Sequence, residues 1–118
     1  DGLDEISITG HTQVGELKDG EVSEYSVHPE QFNLPIHDGT ALRAASVEAS
    51  RDMVLGALEG KLPAARDIVA LNAGASLYVS GRADSMAGGV EQALELIASG
   101  AARARLAEFV AATQKLAG

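Results

Sequence analysis

The hydrophobic period of the chain changes once, near Ser46, and that change limits what the chain can fold into. Ahead of it the pattern is extended. Ile6 and Ile8 alternate with Ser7 and Thr9, and the runs Val14 to Leu17 and Val22 to Val27 flank Lys18-Asp19-Gly20-Glu21. A type I′ turn needs positive φ at both central residues. Asp and Gly tolerate it, so Asp-Gly between two such runs predicts a β-hairpin. The next segment holds Pro29, Pro35 and Gly39 and has no period, which predicts an ordered loop with at most a turn of helix.

Beyond Ser46 the spacing is helical. Ser46 suits an N-cap, Val47, Val54, Leu55 and Leu58 share a stripe, and Gly60 stops the first helix after Glu59. Pro63 suits the first position of a second helix running to about Ser80. Ile68, Val69, Leu71, Ala75, Leu77, Tyr78 and Val79 leave it little polar face and predict that it is mostly buried. Within it Asn72 reads as a satisfied buried amide ahead of the alternative, a ligand contact. Gly74 weakens a helix by about 1 kcal/mol unless it admits a neighbouring backbone. A third helix starts near Ser85, carries Val90, Ala93, Leu94 and Ile97, and stops at Gly100. A fourth carries Leu106, Phe109, Val110 and Leu116 on one face. The expected organisation is a single α/β domain over residues 1–118: strand and hairpin over 1–27, loop over 28–45, helical part over 46–118.

A chain of 118 residues can bury roughly two-thirds of its unfolded surface, enough for an ordinary core. With 46% hydrophobic but only 3% aromatic residues, that core must be built from Ala, Leu, Val and Ile. A formal charge of -8 argues against a non-specific grip on nucleic acid or anionic lipid, which is made by clustered Lys and Arg. Without cysteine there is no disulfide framework, thiolate nucleophile or zinc-thiolate site, which fits a reducing compartment. No apolar run has membrane-spanning length and none has the signal-peptide pattern, so the expected address is cytoplasmic, with no membrane partner.

Several catalytic templates fail. The glycines are spread as helix stops and turns rather than as a phosphate loop, and Gly88-Gly89 lies inside a helix start with no strand before it. His11, His28 and His37 fit no metal-binding helix spacing and read as hairpin or loop residues. No serine stands in a nucleophile-elbow context, so no catalytic residue is assigned. What remains is Asp1-Gly2-Leu3-Asp4-Glu5. Adjacent acids such as Asp4 and Glu5 repel each other unless a counter-charge joins them. Mg²⁺ suits that role, because it takes oxygen ligands and is shared between one or two carboxylates and a substrate phosphate. Acid clusters are also common on surfaces, and the spacing leaves both readings open.

The run from Asp1 to Ser7, followed by Thr9-Gly10 and a hairpin ending near Tyr25, resembles the middle-to-late part of the anthranilate phosphoribosyltransferase family. The resemblance continues through His37-Asp38-Gly39, the helix containing Leu71-Asn72-Ala73-Gly74-Ala75-Ser76-Leu77-Tyr78, and Arg82-Ala83-Asp84-Ser85-Met86 leading to Gly89-Val90. It covers nearly the whole chain in order. His11 departs from it, standing where many members carry proline.

The resemblance implies a nucleoside phosphorylase/phosphoribosyltransferase-type α/β domain, of which this is the C-terminal portion: a β-hairpin followed by about four helices. It implies transfer of a phosphoribosyl group from 5-phosphoribosyl 1-pyrophosphate to anthranilate in tryptophan biosynthesis, with Mg²⁺ as cofactor. The positions matching Asp4 and Glu5 are then the metal ligands, while Asp1 and Gly2 supply shape and support. The family's donor-phosphate loop and anthranilate-facing residues precede the acid motif, so substrate-binding residues are expected upstream of Asp1. A chain that starts inside the motif reads as a piece of something longer. It is expected to be inactive alone and to fold with its N-terminal complement or by self-association. Two alternatives stand beside this reading: a non-catalytic acidic metal- or partner-binding module, and a same-fold paralogue with another acceptor.

Overall fold

The computed structural model describes residues 1–118. Strands β1 (Thr12–Lys18) and β2 (Glu21–Val27) form an antiparallel hairpin in the register Lys18 opposite Glu21 to Thr12 opposite Val27. Its two-residue turn has Asp19 at φ 52° and Gly20 at φ 79°, the positive pair that a type I′ turn demands. Short 3₁₀ turns occupy Pro29–Phe32 and Gly39–Leu42 of the loop after the hairpin. Four helices complete the chain: α1 (Val47–Leu58), α2 (Pro63–Val79), α3 (Met86–Ala98) and α4 (Ala101–Ala117).

The helix ends are set by side-chain chemistry. Ser46 Oγ accepts from Ala49 N at 3.0 Å and Ser85 Oγ accepts from Gly88 N at 3.0 Å, each satisfying a free amide of a first turn. Pro63 opens α2 without losing a hydrogen bond, and Gly60 turns left-handed at φ 71° after α1.

The core lies where α2 crosses α3, with the segment before the hairpin laid against them. Ile8, Leu34, Ala64, Leu71 and Val90 form one buried cluster, and Ala70, Ala93 and Ile97 form a second between α2 and α3. At the crossing the backbones touch. A β-carbon on Gly74 would lie 2.5 Å from the Val90 amide nitrogen, and one on Gly89 would fall on the Gly74 carbonyl. Gly74 therefore does admit a neighbouring backbone.

Two expectations need correction. Ile6 to Thr9 forms no strand despite its β-branched alternation, because no other strand lies beside it. Its backbone is satisfied instead by the Asn72 and Thr12 side chains and by the His37 amide. Helix α2 is buried only along Ala64, Ala65, Asp67, Ala70, Leu71 and Gly74. Val69 and Val79 face outward because α1 and α3 cover one side of it. Helix α4 packs only through its first turns, where Ala102 and Leu106 are half-buried, while Phe109, Val110 and Leu116 of the same face stand exposed. No helix is long and apolar enough to cross a membrane.

Candidate functional site

The acid loop engages one of its three carboxylates and leaves two free. Asp1 Oδ1 accepts from the Leu3 amide at 3.1 Å, while Oδ2 accepts from the Ser7 hydroxyl and, at 3.0 Å, from the Thr9 hydroxyl. Gly2 turns the chain at φ 83°, a left-handed conformation that a side chain would oppose. Asp1 is thereby committed to closing the loop on itself. Asp4 and Glu5 are exposed, and neither carboxylate enters a hydrogen bond or an ion pair. They are the two unengaged acids of the motif.

The residues just beyond this pair are anchored. The Asn72 side chain takes both backbone groups of Ile6: its Oδ1 accepts from Ile6 N at 2.8 Å and its Nδ2 donates to Ile6 O at 3.0 Å. A third bond, Nδ2 to Ile68 O at 3.0 Å, fixes the amide against its own helix. Asn72 is half-buried and fully satisfied, as an amide on an apolar helix is expected to be. Ser7 and Ile8 are buried.

A second anchor has no counterpart among the sequence-based expectations. Asp67 is 0% exposed, and its carboxylate is held by His37 Nε2 at 2.7 Å on one oxygen. Arg66 holds the other, through Nε at 2.8 Å and a terminal nitrogen at 2.7 Å. A buried carboxylate has to be paired in this way. The His37 amide in turn donates to Ile8 O at 3.1 Å, so the loop carrying Asp38 and Gly39 is tied to both α2 and the acid segment. His37 is thus more than a loop histidine. The available signal was the position of Asp67, on the same helical stripe as Ala64 and Leu71, where an acid demands a partner.

His11 and His28 stay apart from the acid loop. Their rings lie 4.5 Å apart, His11 Nδ1 is 3.2 Å from Ser26 Oγ, and His28 Nδ1 caps the first 3₁₀ turn. Gly89 serves the helix crossing, and Gly88 donates its amide to the Ser85 hydroxyl that caps α3.

A cleft between the hairpin and α2 holds the other polar cluster. Tyr78 donates to Glu16 Oε2 at 2.5 Å and Tyr25 donates to Oε1 at 3.0 Å. The Tyr78 hydroxyl, followed by that of Tyr25, holds the Glu16 carboxyl below the usual range. Tyr78 likewise raises Lys18, whose ammonium lies 5.4 Å from the Tyr78 ring centroid. These groups satisfy one another and fasten the hairpin to the end of α2.

No group of three or more metal-ligating side chains converges anywhere in the chain. A cation held wholly by protein is therefore not what this geometry fits. Two free, adjacent carboxylates fit Mg²⁺, which completes its shell with water and substrate phosphate.

A family model described as the glycosyl transferase family, a/b domain, matches residues 1–103. The anthranilate phosphoribosyltransferase of Polaromonas sp. is 50% identical over 117 residues, spanning 99% of this chain and 34% of that protein. The protein of the same name from Acidovorax sp. is 53% identical over the same shares. Among solved structures, anthranilate phosphoribosyltransferase from Thermus thermophilus superposes with a TM-score of 0.83 at 33% identity, over 94% of this chain and 33% of that one. A variant of the Saccharomyces cerevisiae enzyme with Mg bound gives a TM-score of 0.75 at 25% identity, over 97% and 33%. The chain spans about a third of the length of the curated relatives it matches.

Proposed function

The chain belongs to the glycosyl transferase family, to its α/β domain, and from that premise we propose that it is part of an anthranilate phosphoribosyltransferase. In this reading the whole protein moves the phosphoribosyl group of 5-phosphoribosyl 1-pyrophosphate to the amine of anthranilate, a cytoplasmic step of tryptophan biosynthesis. Relatives of that name at 50% identity support the reaction. Within it, Asp4 and Glu5 hold Mg²⁺ on the pyrophosphate. The observation that carries this assignment is that both carboxylates are free and exposed while Asp1, in the same loop, is consumed by Leu3, Ser7 and Thr9.

Displacement at the sugar carbon leaves negative charge on the departing pyrophosphate, and Mg²⁺ held by Asp4 and Glu5 would supply the opposite charge there. Asp4 and Glu5 supply oxygen ligands, directly or through water, and neither takes a proton. Asp1 keeps the loop closed on itself, and both adjacent acids remain exposed. Hydrogen bonding of Ile6 and burial of Ser7 and Ile8 fix the end from which the acids project.

The 118 residues form an incomplete α/β domain in this reading. An apolar groove lined by Leu3, Leu42, Met53, Val54 and Ile68 runs beside Glu5 and Asn72 and suits strands from the rest of the protein. The isolated chain is then inactive, and its partner is the N-terminal complement or a second copy of itself. Turnover by this chain alone with Mg²⁺, donor and anthranilate would refute the inactivity. For the metal, Asp4→Asn combined with Glu5→Gln in the whole protein raises the Mg²⁺ and donor requirements and leaves the fold intact. Unchanged Mg²⁺ dependence of turnover would sink the assignment.

A further inference from the structure

The Asn72 amide sits one residue from the acid pair and binds both backbone groups of Ile6, as a neighbouring strand would do. Ile6 to Thr9 belongs to no sheet, and the Thr12 hydroxyl and His37 amide hold Ser7 and Ile8 farther along, so Asn72 is the backbone clamp nearest the acid pair. The Nδ2 bond to Ile68 O removes the amide's remaining freedom, since a flipped amide would lose all three bonds. Asn72 and Glu5 also line the same groove.

We propose that Asn72 is a positioning residue: by clamping Ile6 to α2 it sets where the Asp4 and Glu5 carboxylates stand and so governs the affinity for the divalent cation with pyrophosphate. The proposal rests on the assignment of Asp4 and Glu5 as metal ligands. Residues that orient metal ligands at one remove commonly change affinity by roughly 10- to 100-fold when lost. Asn72 contributes no ligand itself, because its oxygen and both amide protons are occupied within the protein.

The test uses the whole protein and binding of Mn²⁺ with inorganic pyrophosphate, followed by the electron paramagnetic resonance of free Mn²⁺, alongside kcat, the apparent Mg²⁺ requirement and the melting temperature. Asn72→Leu keeps the branching at Cγ in a somewhat larger side chain and removes the clamp. Asn72→Asp keeps the bond from Ile6 N but loses the donor to Ile6 O, and it reports if the leucine variant does not fold. Ala70→Gly loosens α2 from its other face and measures what general destabilisation does. The expected result is about 10-fold weaker Mn²⁺ binding or more in the Asn72 variants, with kcat recovered at saturating Mg²⁺ and binding by Ala70→Gly unchanged. Wild-type Mn²⁺ affinity in the Asn72 variants, where Asp4→Asn with Glu5→Gln abolishes binding, overturns the positioning role and leaves the metal assignment standing. Weakening by Ala70→Gly equal to that of Asn72→Leu also overturns it. Wild-type affinity in the double acid variant overturns the metal assignment itself.

Discussion

Gly74 on α2 and Gly89 on α3 face each other with no side chain between their backbones, so a β-carbon on either one meets main-chain atoms of the opposite helix. Alanine at an ordinary helix position is more favourable than glycine by about 1 kcal/mol. Here the sign reverses, because backbone cannot move aside as a flexible side chain can. Gly74→Ala and Gly89→Ala are each expected to destabilise by about 1–3 kcal/mol, seen as a lower urea midpoint with an unchanged slope. A higher midpoint would show that the crossing relaxes freely.

The hairpin turn gives a second sign test. Gly20 has φ 79°, and a β-carbon there costs about 1–2 kcal/mol even though the surrounding space is open. Gly15 in β1 also faces open space but has no positive φ, so Gly15→Ala should stabilise by about 0.5–1 kcal/mol. Thermal unfolding of the two variants should move in opposite directions.

His37→Ala removes one of the two partners of the buried Asp67 carboxylate and leaves Arg66 to carry it alone. A loss of about 1–3 kcal/mol is expected. The loss should be local in character: exchange of the backbone amide at position 37, whose bond to Ile8 O ties the loop down, should accelerate more than exchange along α3. Equal acceleration in both would mean that the pair supports the whole core and not the loop.

Stability should also fall with acid through Glu16. The hydroxyls of Tyr78 and Tyr25 lower its pKa in the folded state, so the unfolded chain binds the proton more tightly. Its contribution is therefore complete above the ordinary glutamate value of about 4.3 and fades as pH drops from there through the lower folded value. Glu16→Gln, which still accepts from Tyr78, should make unfolding less sensitive to pH across that window. Parallel curves for wild type and variant would exclude Glu16 as a contributor.

Local chemistry was readable in the sequence wherever a single residue type settles the conformation. Asp19-Gly20 turns the hairpin, Ser46 and Ser85 cap their helices, Pro63 starts one and Gly60 ends another. Asn72 is satisfied as an amide on an apolar helix has to be. The unread parts depend on what stands opposite. Ile6 to Thr9 has the composition of a strand, and only the lack of a neighbouring strand makes it irregular. The exposed stripe of α4 looks identical to a buried one until the absence of a covering surface is known. His37 and Asp67 are thirty residues apart, as the bond between them records, and no local spacing joins them. In the acid loop, spacing alone left Asp1 and the pair Asp4 and Glu5 undivided and only the family resemblance set them apart; what engages Asp1 is Ser7 and Thr9 folding back on it, which no local spacing displays.

The way Ile6 to Thr9 is held also affects how safely the protein can be made. A short uncharged run rich in β-branched residues is the kind that stacks with copies of itself when its backbone is free. Asn72 occupies Ile6, the Thr12 hydroxyl takes the Ser7 amide, and the His37 amide takes the Ile8 carbonyl. Passing chains find few open main-chain groups on it. The amide that holds this segment in the native fold thereby also withholds the main chain of Ile6 from pairing with another copy.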